Sequence, residues 1–316
     1  MEVYHLIHPH ELKKNELPPS VMALGFFDGV HLGHQKVIDT AKKTAEDKGL
    51  KCSVMTFYPP PAVVLGHKDH PEYLTPTQHK RELIAEMGID QLFIVRFDQE
   101  IFSITPQQFV DGYIVGLNVQ HAVCGFDFTY GHDREGKADM LPVQAQGRFD
   151  VTIVDKVAKN GDKVSSTKIR ELVRTGEMDQ IPAYLGRRHE INGTVVNGEK
   201  RGRTIGFPTA NVEPEGDYLI PGTGVYAVTM KVDGKWLDGV ASIGYKPTFH
   251  DDYGEKPAIE VYLFHFDRDI YGEPVTVKWF KKLRDEEKFP SADALIERMK
   301  QDVQEAKAYL ETEVKR

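Results

Sequence analysis

Two histidines three residues apart, His31 and His34, flank Gly33 in the segment Gly25-Phe26-Phe27-Asp28-Gly29-Val30-His31-Leu32-Gly33-His34. A compact apolar run, residues 21–27, precedes the pair. Val37, Ile38, Ala41 and Ala45 follow it at helical spacing as far as Gly49. This pattern predicts a strand, a turn and a helix, with the histidines where the turn becomes the helix. A helix amino terminus offers free backbone N–H groups and a partial positive charge, which suit a phosphate chain. Two imidazoles beside it could donate to phosphate oxygens, and Gly33 leaves room for a nucleotide to lie against the backbone. Taken alone, such a pair is also compatible with polar decoration of a helix start. Its place after the first strand of an α/β pattern favours the chemical reading.

A second cluster is Lys163-Val164-Ser165-Ser166-Thr167-Lys168-Ile169-Arg170. It follows the last apolar run of the same pattern and opens another helix, where the hydroxyls suit capping. With Lys163 and Arg170 beside them they also form an anion cradle, and the two roles are compatible. A third cluster occupies residues 198–211, where Gly198, Gly202 and Gly206 alternate with Lys200, Arg201 and Arg203 and lead into Phe207-Pro208-Thr209-Ala210-Asn211. The glycines are compatible with turns alone. Equally, such a loop could fold over a phosphate chain while Thr209 and Asn211 offer the neutral oxygens that Mg²⁺ accepts beside phosphate and water. Gly222, Gly224 and Ala227 match a dinucleotide fingerprint but introduce a strand rather than a helix. Any phosphate site therefore rests on the clusters above.

The elements that must position these clusters fall into two halves, as 316 residues suggest. Residues 52–57, 92–97, 121–126 and 149–154 read as strands, with helices around residues 81–87 and from Thr105-Pro106. Strands apolar on both faces and separated by helices predict a doubly wound α/β domain with a parallel sheet. After Met178 the apolar residues come in short alternating runs at residues 224–232, 236–244, 258–266 and 274–280, with Asp233-Gly234 at a hairpin turn. That predicts an antiparallel β-barrel. Leu295, Met299, Val303, Ala306 and Leu310 form one stripe of a final helix begun by Ser291, suited to packing on the barrel. The boundary is expected at residues 184–188, giving domains 1–185 and 186–316.

Lys and Arg number 40 and Asp and Glu 48, a balance of 40 − 48 = −8 that leaves no positive field for a nucleic-acid backbone. No apolar run approaches the roughly 18 residues of a membrane helix. Cys52 and Cys124 sit in apolar runs without zinc-ligand spacing. A cytoplasmic protein with reduced core cysteines and small-molecule partners is expected, with no nucleic acid and no membrane. Homo-oligomerisation is left open.

Residues 27–34 together with Ser165-Ser166-Thr167-Lys168-Ile169-Arg170 resemble the nucleotidyltransferase superfamily in its FAD-synthetase branch. The resemblance implies direct nucleotidyl transfer from ATP, with Gly25, Phe26, Phe27, Asp28, His31, Gly33, His34, Ser165, Ser166, Thr167 and Arg170 at the nucleotide. Residues 125–131 are similar to that family's flavin-side loop, which implies FMN contacts at Asp127 and Phe128. Residues 198–211 resemble the riboflavin kinase signature, with the Pro208-Thr209-Ala210-Asn211 core intact. That implies Gly198, Arg201, Gly202, Thr209 and Asn211 at the kinase ATP, Mg²⁺ on Thr209 and Asn211, Glu260 as the base receiving the riboflavin hydroxyl proton, and Arg284 beside the flavin. Read from pattern alone, Glu260 is an outward residue of an alternating strand and Arg284 part of a solvated charge run.

Nearly the whole chain thus resembles the bifunctional bacterial FAD synthetases. An α/β doubly wound nucleotidyltransferase-like domain would precede a riboflavin-kinase-like barrel with a C-terminal helix, making FMN from riboflavin and FAD from FMN with ATP. Phe26 and Ser242 stand where many relatives carry Asn, and Pro60 where many carry His. Because Pro60 bears on adenylyl transfer, a riboflavin kinase with weak or altered nucleotidyl transfer is one alternative. A flavin- or nucleotide-sensing binding protein is another.

Overall fold

A computed structural model describes residues 1–64, 66, 72–159, 161–198, 202, 205–245 and 257–314. The chain forms two compact units, Met1–Ser166 and Thr167–Arg316.

In the first unit, β1 (Glu2–Leu6), β2 (Ser20–Leu24), β3 (Lys51–Tyr58), β4 (Gln91–Arg96) and β5 (Val119–Gly125) pair in parallel with a later strand, β8 (Asp150–Val154). The sheet order is β1-β4-β3-β2-β5-β8. A small hairpin, β6 (Thr129–Tyr130) with β7 (Gly136–Lys137), follows β5, and another, β9 (Ala158–Lys159) with β10 (Asp162–Lys163), follows β8. The helices are α1 (Leu32–Lys48), α2 (Pro61–Val64), α3 (Thr77–Glu86), α4 (Gln99–Phe102), α5 (Pro106–Phe109) and α6 (Leu141–Ala145).

The alternation along β2 explains the layering. Met22 and Leu24 join one core with Met55, Phe93 and Phe109, while Val21 and Ala23 join the other with Ile38, Ala41 and Val54. Sequence reasoning passed over β1, whose half-exposed pattern suits an edge strand. The strand before the histidine turn is therefore second in the chain. From β2 the chain steps through β3 to β4 on one side and later returns to β5 on the other, so the sheet reverses its winding at β2/β5. Crevices at such switch points bind ligands.

The second unit begins with α7 (Ser166–Thr175, its first residue ending the first unit) and α8 (Pro182–Leu185). The strands β11 (Glu190–Val196), β12 (Thr209–Pro214), β13 (Gly224–Val232), β14 (Lys235–Tyr245), β15 (Pro257–Leu263) and β16 (Pro274–Arg284) then close as an antiparallel barrel, β11-β12-β15-β14-β13-β16. The turn at Asp233-Gly234 has φ of 49° and 76°, the left-handed pair that a tight hairpin requires. Two strands, β11 and β12, were not foreseen. The motif Thr209-Ala210-Asn211, expected in a loop, starts β12, because the glycines before it mask where the alternation begins. Along the final helix, α9 (Ala292–Val314), Val303, Ala306 and Leu310 pack against Ala227, Phe264 and Phe280 on the outside of the barrel.

Residues 167–185, grouped by sequence with the first half, lie in the second unit. The Gly222 N–H donates to the Val173 carbonyl at 3.1 Å, and a Cβ on Gly176 would sit 2.6 Å from the Tyr226 hydroxyl. Met178, Ile181, Tyr184 and Leu185 are buried in the same unit. A fragment of residues 167–316 is therefore expected to melt above one of residues 186–316, because the shorter piece loses side chains worth about 2 kcal/mol each. Thermal denaturation followed by circular dichroism reads the difference. Equal midpoints would mean that α7 and α8 add nothing to the barrel.

Both cysteines are free and buried. Burial pushes each thiol up to about 12. They are core residues, too weakly acidic to serve as thiolates near neutral pH.

Candidate functional sites

Residues 25–31 leave β2 at the carboxyl edge of the sheet, beside β5. Phe27 and Val30 have φ of 54° and 42°, a costly backbone for bulky and β-branched residues that persists only where the surroundings over-determine it. The restraints are visible. The buried Asp28 carboxylate accepts from the backbone N–H groups of Leu74 at 3.3 Å and Thr75 at 3.1 Å. The Gly29 N–H donates to Thr75 Oγ1 at 2.7 Å, and Ser166 Oγ donates to the Asp28 carbonyl at 2.9 Å. That last bond, within the first unit, ties the Ser166 end of the second cluster to the histidine turn.

His31 is the N-cap of α1, and its Nδ1 accepts the His34 N–H at 3.2 Å. With Nδ1 used as an acceptor, the neutral ring carries its proton on Nε2, which is thereby a donor. The His31 and His34 rings stack with centroids 3.5 Å apart and 13° between their planes. The Phe27 ring meets His34 edge-on at 5.3 Å. A Cβ on Gly33 would lie 3.1 Å from the His31 ring, so the absent side chain preserves that ring's seat. The His31 Nε2 donor thus stands at a helix amino terminus, an arrangement suited to stabilising charge on phosphate oxygens.

Around this centre, Asp127 follows β5 and pairs with Lys163 at 2.7 Å, while the Lys163 ammonium lies 4.5 Å over the Phe126 ring. Phe128 stacks on Tyr130 with centroids 5.6 Å apart. Thr167 and Arg170 follow Ser166 in the sequence, on the first turns of α7, and belong to the second unit. Pro60 follows β3 at the same edge of the sheet.

Lys80 was missed by sequence reasoning. It is 1% exposed on α3, and its ammonium donates to the Phe26 carbonyl and to Thr56 Oγ1, each at 2.9 Å. Thr56 Oγ1 in turn donates to the Phe26 carbonyl at 2.8 Å. Burial pushes the ammonium down to about 8, against the opposing pull of Asp28. Its spacing of four from the buried Ile84 was the available signal, since a lysine on a buried helix face needs a reason.

In the barrel, Asn211 of β12 lies directly across from Glu260 of β15, and Ser242 of β14 lies across from Glu260 on the other side. Thr209, two residues from Asn211, shares its face, and Thr209 Oγ1 is 3.5 Å from Glu260 Oε2. Val212, next to Asn211, and Ile259 and Val261, on either side of Glu260, are buried, so the polar row faces away from the barrel core. Ser242, one of the departures from the family pattern, therefore stands next to the candidate base. A Cβ on Gly198 would overlap the Asn211 side-chain amide, and one on Gly202 the Phe207 carbonyl. Both glycines allow a close approach that no other residue permits. Arg201 lies outside the described residues.

Arg284 is not a solvated charge. Its side chain is 10% exposed and grips Asp302 of α9, with Nε 3.0 Å from Oδ1 and Nη2 2.9 Å from Oδ2. Asp302 also receives Arg298 at 3.2 Å. The C-terminal helix thus fixes the Arg284 side chain at the end of β16.

Comparison with known proteins agrees with this division. The FAD synthetase family model matches residues 13–168 and the riboflavin kinase family model residues 185–310. The chain is 47% identical over 310 residues to a bifunctional riboflavin kinase/FMN adenylyltransferase of Bacillus subtilis, covering 98% of each chain. It is 35% identical over 298 residues to one of Escherichia coli, covering 93% of each. A crystal structure from Streptococcus pneumoniae, described as a macrolide-efflux protein, superposes with a TM-score of 0.86 at 31% identity, over 97% of this chain and 99% of that one. Among the described residues of the present chain, no helix is long and apolar enough to cross a membrane. With both signature sets seated on the expected folds and relatives matching along their full length, the chain belongs to the bifunctional riboflavin kinase/FMN adenylyltransferase family.

Proposed function

We propose that residues 186–316 phosphorylate riboflavin to FMN and that residues 1–185 adenylylate FMN to FAD, each at its own site and each with ATP. The observation carrying the kinase assignment is the row Thr209, Asn211 and Glu260 on one face of the barrel. Glu260 receives the proton of the riboflavin 5′-hydroxyl as that oxygen bonds to the γ-phosphorus and ADP departs. Thr209 and Asn211 offer neutral side-chain oxygens, and the bare Cα of Gly198 lets the backbone close on Asn211. This donor set suits Mg²⁺, a hard cation that keeps water and substrate phosphates as its other ligands. Bound there, the ion would neutralise charge on the phosphates. Arg284, fixed by Asp302, is assigned to the flavin.

In the adenylyltransferase, an FMN phosphate oxygen bonds to the α-phosphorus of ATP and the bond to the β-phosphate breaks, releasing pyrophosphate. His31 and His34 donate to phosphate oxygens that gain charge as this happens, and Ser165, Ser166, Thr167 and Arg170 hold the rest of the chain. Asp127 and Phe128 are assigned to FMN. A soluble, cytoplasmic enzyme acting on these small molecules is the reading that composition supports. Incubating the pure protein with riboflavin and Mg·ATP and separating the flavins by chromatography tests it. FMN and FAD should both accumulate, whereas FMN alone would mean that Pro60 marks a lost adenylyl transfer, and neither would leave a binding protein.

A further inference from the structure

We propose that Lys80 is a positioning residue for adenylyl transfer: it ties the Phe26 carbonyl to Thr56 beneath the histidine turn and so holds His31 and His34 at the sheet edge. This rests on the assignment of adenylyl transfer to the first unit.

An ammonium removed from water is costly, and apolar residues of the same volume can often fill such a position at no loss of stability. A lysine that is 1% exposed therefore calls for a task that only a charged donor performs. Two of its three N–H groups are spent on the Phe26 carbonyl and Thr56 Oγ1, each at 2.9 Å, and its charge acts on Asp28. The Phe26 ring lies 4.7 Å from the ammonium, so both the carbonyl and the ring of that residue are held. Thr56 Oγ1, which accepts from Lys80, donates to the same carbonyl at 2.8 Å and closes a triangle.

The residue whose carbonyl is pinned is the one before Phe27, where the strained backbone begins with a φ of 54°. Unless held, that backbone relaxes toward ordinary dihedrals and carries the N-cap of α1 with it. The Asp28 contacts with Leu74 and Thr75 fix the far side of the turn. Lys80 and Thr56 fix the near side, where β2 ends. Lys80 touches neither reacting phosphate in this scheme and acts only through the turn.

The test uses the full chain and three variants, Lys80→Met, Thr56→Val and Thr56→Ser. Riboflavin phosphorylation, measured in the same samples, reports that the chain is folded. Lys80→Met and Thr56→Val should lower kcat for FAD formation from FMN by about ten- to a hundredfold, the range of a small misplacement of reacting groups. The KM for ATP should move less than about threefold, because the loss falls on the transition state. Thr56→Ser keeps the hydroxyl and should remain near wild type. If Lys80→Met does not fold, the Thr56 pair decides alone. The proposal is overturned if kcat stays within twofold in the folded variants, if only the ATP KM rises, or if Thr56→Ser falls as far as Thr56→Val. Wild-type protein that makes no FAD would overturn the functional assignment instead, so the two failures are distinct.

Discussion

Replacing His31 or His34 with alanine should slow FAD formation from FMN by about 10²–10³-fold, the usual cost of removing one preorganised donor. Riboflavin phosphorylation should stay within a few-fold of wild type. The geometry makes His31 the more informative position, because its ring works twice. Nδ1 caps α1 by accepting the His34 N–H, which leaves Nε2 as the donor proposed for phosphate. Alanine removes both roles, and losing a cap alone costs about 1 kcal/mol. Asparagine is a good N-cap that cannot reach as far as Nε2. His31→Asn should therefore melt close to wild type yet share most of the loss in adenylyl transfer. Coupled assays for the two reactions, run on each variant with a thermal melt, check this. Equal losses in both activities, or a fully active His31→Asn, would remove the donor role.

Glu260→Gln should lower kinase turnover by about 10²-fold or more, the lower range for a positioned general base, while riboflavin affinity stays nearly unchanged. Glutamine keeps the size and a side-chain oxygen facing Thr209 but cannot accept the proton. Thr209→Ala or Asn211→Ala should instead raise the Mg²⁺ concentration needed for half-maximal rate, because each removes an oxygen or shifts its neighbour. FMN supplied directly should still become FAD in all three variants. Full kinase turnover in Glu260→Gln would send the search for the base elsewhere on the barrel.

Where local pattern carried a feature, the sequence reading was sound. The run of residues 224–232 coincides with β13 from end to end, and Asp233-Gly234 forms its hairpin turn. The stripe from Leu295 to Leu310 lies on one helix, and its later half, Val303, Ala306 and Leu310, packs on the barrel as expected. What pattern could not carry was long-range. Nothing near Lys80 in the chain announces that it meets a carbonyl 54 residues earlier, because the bond joins helix α3 to the turn after β2. Arg284 looked solvated because it sits among charges in sequence, while its partner Asp302 lies 18 residues away on α9. Ser242 stood out only as a departure, and its place beside Glu260 emerges from the register of β14 with β15.

The helix α7 carries residues assigned to the adenylyl site in its first turns, while the carbonyl of Val173 near its end accepts the Gly222 N–H within the barrel unit. A cut before residue 167 takes Thr167 and Arg170 away from the first unit's sequence, and a cut after residue 185 takes α7 and α8 away from the second. In an exchange of gene segments, the 10 codons of α7 are therefore wanted on both sides of the cut. Neither product carries its full set of residues unless that stretch is copied into both.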